Sequence, residues 1–334
     1  MTKSTSTPEH PFAQYVRTLG RGKRSGRSLT EGEAYNAMKM ILNREVEDAQ
    51  IGAFLILIRV REETTEELVG FVKATHEYTQ RTVAQLNASV DWPSYAGKHK
   101  QLNWYILAAL ALADSGTSVF MHGANEHTPN RLYTDTVLRE LGISPCMSVE
   151  AAQAALDKNN FSYMGLHDFC PPLSELVALR PILGVRSPIH TLVRLANPSQ
   201  SPCIVTSIFH PSYRSSHQEA ALQLGYKSMA VFKGEGGEVE RKPDARCLVQ
   251  SVQNNVLADE EWEPLLSARN PNEQDFEINK LQRVWRGTER SAYGESAISA
   301  TLAIVLLLMR KASSQSEALE LATKLWSARD YQRI

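Results

Sequence analysis

From Asp91 to Ile143 the chain runs DWPSYAGKHKQLNWYILAALALADSGTSVFMHGANEHTPNRLYTDTVLRELGI, and this alternation leaves few architectures open. It reads as loop, helix, strand, loop, helix. A basic patch, Lys98-His99-Lys100, precedes an apolar run with helical spacing from Trp104 to Ala113. Thr117 to Met121 is a short β-rich strand that ends at His122-Gly123. Helix and strand taking turns in this way point to an α/β domain. The loop between a strand and the next helix is where such domains hold anions, because free backbone N–H groups and the helix dipole face the ligand.

The rest of the chain sets the bounds. Its 334 residues suffice for one large core and a smaller domain, and a hydrophobic content of 43% makes it globular rather than disordered. A formal net charge of −1 argues against a uniformly basic nucleic-acid coat and leaves room for a local basic groove. Cys146, Cys170, Cys203 and Cys247 are far apart with no Cys-x-x-Cys pair, so neither a zinc site nor a disulfide framework is expected. A reducing, cytoplasmic setting fits this best. The N-terminus carries no apolar signal core, and the apolar stretch Ala297 to Met309 is too short for a bilayer, so it is read as a buried helix and no membrane partner is expected.

Taken in order, residues 1–10 read as a disordered tail. Residues 11–80 are helical throughout: Phe12, Tyr15, Val16 and Leu19 share one face, Thr30 with Glu33 forms a capping box, and Thr64 or Thr65 ahead of Glu66-Glu67 opens another helix. Arg17, Arg21, Lys23, Arg24 and Arg27 follow one another with no acid between them. Residues 80–90 connect to an α/β part over 91–334. There Val149 to Asn159 is an amphipathic helix and Phe161 to Met164 a strand. Cys203–Phe209 and Ser228–Phe232 bracket a helix near Ser215–Leu224, forming one βαβ unit and implying a parallel sheet. Residues 255–285 are polar and poorly patterned, and two helices follow from Gly294.

The Asp91–Ile143 run, the helix Ala49-Gln50-Ile51-Gly52-Ala53-Phe54-Leu55, and the segment from Arg180-Pro181-Ile182-Leu183-Gly184-Val185-Arg186-Ser187 to Asn197-Pro198 together resemble the anthranilate phosphoribosyltransferases of glycosyltransferase family 3. The resemblance implies an α + α/β fold of the nucleoside phosphorylase / phosphoribosyltransferase type. An N-terminal helical bundle domain, joined by part of 170–198, precedes a larger α/β domain with a mainly parallel sheet. In those enzymes a GTGGD loop holds the pyrophosphate of phosphoribosyl pyrophosphate, and a KHGNR segment flanks the acceptor. Here the loop positions are Ser94, Tyr95, Ala96, Gly97 and Lys98, and KHGNR has become Met121-His122-Gly123-Ala124-Asn125. Tyr95 would crowd a pyrophosphate, and side chains there remove the conformational freedom that glycine supplies.

The implied relic substrate site is Ser94, Tyr95, Gly97, His122, Gly123 and Arg180, with Arg180 matching the arginine that meets the anthranilate carboxylate. The family's metal carboxylates fall on Lys233-Gly234-Glu235-Gly236-Gly237-Glu238-Val239-Glu240, where Glu240 survives as a weak candidate ligand and one partner is lost. No catalytic residue is assigned. No cofactor is expected, Mg²⁺ with phosphoribosyl pyrophosphate being required only if the chain transfers a phosphoribosyl group to another acceptor.

The altered residues, among them Pro93-Ser94-Tyr95, Phe169-Cys170-Pro171-Pro172-Leu173 and His190-Thr191-Leu192 followed by Arg194, resemble the YbiB-type branch of the family. That implies a homodimer that keeps the fold, lacks the transferase activity and binds single- or double-stranded nucleic acid non-specifically. The residues this points to are Lys98, Lys100, Arg186, His190, Arg194, Arg21, Lys23 and Arg24, with Tyr95 or Trp104 as stacking platforms.

Overall fold

The computed structural model describes residues 8–125, 128–267 and 276–334. Of the expected disordered tail, residues 1–7 lie outside that set. Its last residues are ordered against the first helix: Glu9 pairs with Arg17, and His10 Nδ1 accepts the Phe12 N–H at 3.1 Å.

Four helices of two turns or more build the N-terminal bundle: Ala13–Gly20, Glu31–Leu42, Asp48–Arg61 and Thr65–Thr79. Two of them start as their sequences predict. Thr30 Oγ accepts the Glu33 N–H at 3.3 Å while the Glu33 carboxylate accepts the Thr30 N–H at 2.9 Å; Thr64 and Glu67 repeat the exchange at 3.2 and 2.9 Å. Phe12, Phe54 and Phe71 meet edge to face inside the bundle. Helices Glu31–Leu42 and Thr65–Thr79 cross at Gly70, where a Cβ would sit 2.4 Å from the Glu31 carbonyl oxygen.

The second part is built on one sheet of seven strands among the described residues: β1 (Val90–Ser94), β2 (Val119–Gly123), β3 (Phe161–Gly165), β4 (Cys203–Ser207), β5 (Ser228–Phe232), β6 (Cys247–Gln253) and β7 (Val256–Trp262). Their order is β3-β2-β1-β4-β5-β6-β7. The first five run parallel, and β6 and β7 are antiparallel additions. Two departures from the sequence reading matter. The segment opening at Asp91 is not a loop but the interior strand β1, and residues 256–262, within the stretch 255–285 expected to be poorly patterned, pair with 247–253 in a hairpin. Its turn is Asn254-Asn255, both at positive φ (48° and 65°), the geometry that two-residue hairpins require.

Alternation along the strands divides the core between the two faces. Val90, Trp92, Val119, Met121, Val205 and Phe232 face the helix Trp104–Asp114, buried from Trp104 to Ala113, and the helix Ala292–Leu308. Phe120, Ile204, Met229 and Val231 join the opposite cluster, which continues without a break into Phe54, Leu68 and Phe71 of the bundle. Short helices Pro171–Ala178 and Ile189–Leu192 pack on the bundle helices Glu31–Leu42 and Thr65–Thr79 respectively. Because β1 passes to β2 on one side and borders β4 on the other, the sheet reverses its winding at β1. The crevice beyond Ser94 is therefore where ligands bind in folds of this kind. No described helix is long and apolar enough to cross a membrane.

Candidate functional site

The loop leaving β1 is organised by a carboxylate that comes from far along the chain. Glu238 is 1% exposed, and its Oε1 accepts the N–H groups of Ala96 (2.7 Å) and Gly97 (2.6 Å). Its Oε2 accepts the Ser94 hydroxyl at 2.8 Å. Burial raises the Glu238 carboxyl above its ordinary value; the Ser94 hydroxyl, the Arg194 charge and the two amides oppose this. Gly97 sits at φ +63°, where a side chain is strained and a Cβ would also meet Arg131 and Tyr133 at 3.0 Å.

Beside it lies a second buried pair. Lys98 is 1% and Glu240 0% exposed, and their Nζ and Oε1 form an ion pair. Nζ also donates to the Leu102 carbonyl at 3.1 Å, and the other Glu240 oxygen accepts the Tyr105 N–H at 3.0 Å. Lys98 therefore presents no charge to a groove. It neutralises Glu240, which burial pushes up and the Lys98 charge pulls back. The site does not fit a divalent ion: both Glu240 oxygens are committed, Glu238 is filled by amides and a hydroxyl, and the described residues contain no metal-holding cluster of three His, Cys, Asp or Glu.

Tyr95 does not crowd this seat. It turns inward, 2% exposed, and its hydroxyl lies 2.7 Å from His122 Nδ1. His122 Nε2 lies 2.9 Å from Asp91 Oδ1, and Asp91 Oδ2 accepts the Ser199 hydroxyl at 2.8 Å. The ring stacks on Phe120 and meets Phe169 edge on. Asp91 and His122 face the same side because β1 and β2 run parallel, with Asp91 opposite Phe120 and Pro93 opposite His122. This network is enclosed, so His122 is a structural bridge under the site. Gly123 is fixed by space, since a Cβ there would stand 2.2 Å from the Ser94 carbonyl oxygen. Trp104 is 1% exposed, packed on Gly294, and like Tyr95 offers no face for stacking a base.

Above the buried layer stand four arginines. Arg131 donates to the carbonyls of Ala96 (3.2 Å), Gly97 (2.8 Å) and Gly236 (3.2 Å), tying the β1 loop to the turn before Glu238. Arg180 donates to the Thr128 hydroxyl. Arg194, half-buried, donates to the His190 carbonyl. Burial pushes its guanidinium down to about 10; Glu238 opposes the fall, and the charges of Arg186 and Arg131 add to it. Arg186 reaches solvent, and partial desolvation followed by the charges of Arg180 and Arg131 holds it below its ordinary value. Among the described residues Arg131, Arg186 and Arg194 have no carboxylate within ion-pair distance.

The remaining candidates divide. Lys100 is exposed at the loop tip, and Arg21 is exposed at the end of the first helix. His190 is buried, with Nδ1 3.2 Å from the Ser187 carbonyl oxygen, so its ring does not face a groove. In the basic run, Arg17 and Arg27 are paired with Glu9 and Glu33. The side chains of Lys23 and Arg24 lie outside the described set, as do Glu126 and His127 of the expected acceptor loop. Sequence reading passed over Arg131 and named Glu240, rather than Glu238, as the candidate metal ligand of that segment. Position 238 is 142 residues from Ala96, so only the folded chain shows what it faces.

Comparison with known proteins agrees with this fold. Residues 17–78 match the glycosyl transferase family's helical bundle domain and residues 87–328 its a/b domain. The uncharacterized protein YbiB of Escherichia coli (strain K12) is 33% identical over 240 residues, covering 71% of this chain and 74% of that protein. The anthranilate phosphoribosyltransferase of Aquifex aeolicus (strain VF5) is 27% identical over 319 residues, covering 92% and 93%. The crystal structure of anthranilate phosphoribosyltransferase (TrpD) from Thermus thermophilus superimposes with a TM-score of 0.77 at 21% identity, covering 96% of this chain and 95% of that one.

Proposed function

This chain belongs to the glycosyl transferase family that joins a helical bundle domain to an α/β domain, and on that footing we propose that it binds nucleic acid without sequence preference in the cleft between the two. The observation that carries the reading is the arginine group at the mouth of the cleft. Arg131, Arg180, Arg186 and Arg194 come from two separate segments, and among the described residues Arg131, Arg186 and Arg194 make no direct ion pair, the buried Glu238 carboxylate acting on Arg194 only through its charge. Burial first, and neighbouring guanidinium charges after it, hold Arg186 and Arg194 below their ordinary value, and a phosphate there relieves that repulsion and accepts bidentate hydrogen bonds. Lys100 and Arg21 extend the positive rim. The overall charge of −1 does not oppose this, because the cluster is local.

The reading also takes the phosphoribosyl pyrophosphate site as lost: the loop amides serve Glu238, and Lys98 serves Glu240. A homodimer and a cytoplasmic setting belong to the same proposal.

The test is a fluorescence-anisotropy titration with a mixed-sequence single-stranded oligonucleotide at low and high salt, with and without phosphoribosyl pyrophosphate and Mg²⁺. Tight binding that weakens steeply with salt is expected, as for contacts made mainly to phosphates. Arg186→Ala should weaken it a few-fold for every sequence tried and reduce the salt slope by about 1. Absence of binding at low salt overturns the reading. Stabilisation by phosphoribosyl pyrophosphate with Mg²⁺ would instead favour a transferase with an acceptor other than anthranilate.

A further inference from the structure

The seat at the end of β1 has the form of an anion receptor. Two successive backbone N–H groups, Ala96 and Gly97, and the Ser94 hydroxyl converge on one point at the position where the sheet reverses its winding. Successive amides of this kind form a concavity that selects oxyanions. Arg194 adds positive charge from one side. The Arg131 guanidinium closes the other by clamping the carbonyls of Ala96, Gly97 and Gly236. What sits there is the Glu238 carboxylate, delivered by a tight glycine turn that Arg131 also holds through the Gly236 carbonyl. Gly236 and Gly237 both adopt positive φ (67° and 88°), and Gly234 has its Cβ position 1.8 Å from the Glu238 carbonyl oxygen.

We infer that Glu238 is a resident anion in a small-oxyanion receptor made by Ala96 N, Gly97 N and Ser94 Oγ, so that the receptor is closed to free carboxylates and phosphates and opens to them when this side chain is removed. The inference goes beyond the nucleic-acid reading and is independent of it, because the seat lies beneath the arginine layer and its filling does not require the cleft to bind anything. It assigns the Gly234–Glu238 turn a role as the holder of an internal ligand, which keeps the β1 loop set without an external one.

The test is chemical rescue. Glu238→Ala deletes an acetate-sized fragment from the seat, whereas Glu238→Gln keeps the shape and still offers an oxygen to the two amides. Thermal unfolding of the full chain is followed in acetate, in inorganic phosphate and in chloride at matched ionic strength. Glu238→Ala should be raised by acetate and phosphate over chloride, with an apparent affinity at least about tenfold tighter than that of the wild type. Wild type and Glu238→Gln should show alike only the general salt effect and any phosphate binding at the arginine layer, so the reading is the additional gain of Glu238→Ala over both. In the wild type, the amide resonances of Ala96 and Gly97 should stay fixed on adding either oxyanion. If Glu238→Ala does not fold in chloride, it should refold from denaturant in acetate or phosphate. Equal responses from wild type and Glu238→Ala, movement of those two wild-type amides, or failure of Glu238→Ala to gain from any oxyanion would each overturn the inference.

Discussion

At the residue scale, the chemistry under the cleft is a matter of which buried charges are matched. Lys98 and Glu240 are both desolvated, and each makes the other tolerable. Lys98→Met removes the cation and leaves a carboxylate with only the Tyr105 N–H, so it should cost about 3–5 kcal/mol of unfolding free energy. Adding Glu240→Leu should recover most of that loss, and urea midpoints of the single and double variants decide the point. His217 gives a second prediction. It is fully buried, with Nδ1 2.7 Å from the Tyr213 carbonyl oxygen, and burial pushes it from 6.5 down to about 4. The unfolded chain therefore takes up the proton first. The stability held by the neutral ring is complete above about pH 6.5 and is lost as pH falls toward about 4, a change of up to roughly 3 kcal/mol. His76, also lowered by burial, acts in the same direction. Urea unfolding across that range should show the loss, and His217→Gln should flatten part of it.

At the scale of elements, contact distance between helices sets what a position accepts. Helices Glu31–Leu42 and Thr65–Thr79 touch at Gly70, where an added Cβ would face the Glu31 carbonyl at 2.4 Å and the Ala34 Cβ at 2.8 Å. Neither neighbour is a flexible side-chain end, so Gly70→Ala must push the helices apart, and a cost of about 1–3 kcal/mol is expected in a denaturant titration despite alanine's better helix propensity. Gly32, on the facing helix with nothing near its Cβ position, is the control: Gly32→Ala should be neutral or stabilising. The elements also show where sequence patterning works. Capping boxes at Thr30 and Thr64 act over three residues, and the helix Val149–Asn159 matches its amphipathic pattern from end to end. Strand β1 was missed because it is buried on both faces and contains a proline, Pro93, so it shows neither alternation nor a strand-like composition. The β6–β7 hairpin was missed because β7 is exposed along most of its length and reads as an acidic loop.

At the scale of the whole molecule, the bundle and the sheet share one core. The cluster that holds Phe54 and Phe71 also holds Phe120, Ile204 and Met229, and helix Pro211–Gln223 packs on helix Thr65–Thr79. A chain starting at residue 81 would expose that face of the sheet together with helices Pro171–Ala178 and Ile189–Leu192. It should therefore fail to show a cooperative transition of its own, whereas the full chain should unfold in one step by far-ultraviolet circular dichroism and by tryptophan fluorescence alike. Two separate, non-coincident transitions in the full chain would contradict a shared core. Arg131 and Arg186, from separate segments, lie near enough for their charges to act on each other.

The sequence alone determined the order of helical and α/β parts, the helix starts, the parallel strands β2 to β5 and the identity of the altered loop, because each of these is written in neighbours a few residues apart. It also pointed to Arg186, Arg194 and Lys100 as positive groups near a cleft. Only the tertiary structure decided which charges remain available there. Lys98 was withdrawn by Glu240, Tyr95 by His122 and the loop amides by Glu238, all partners distant in sequence. A charge in a protein is free or spent according to what burial places within about 3–4 Å of it, and that distance is set by packing rather than by sequence neighbourhood.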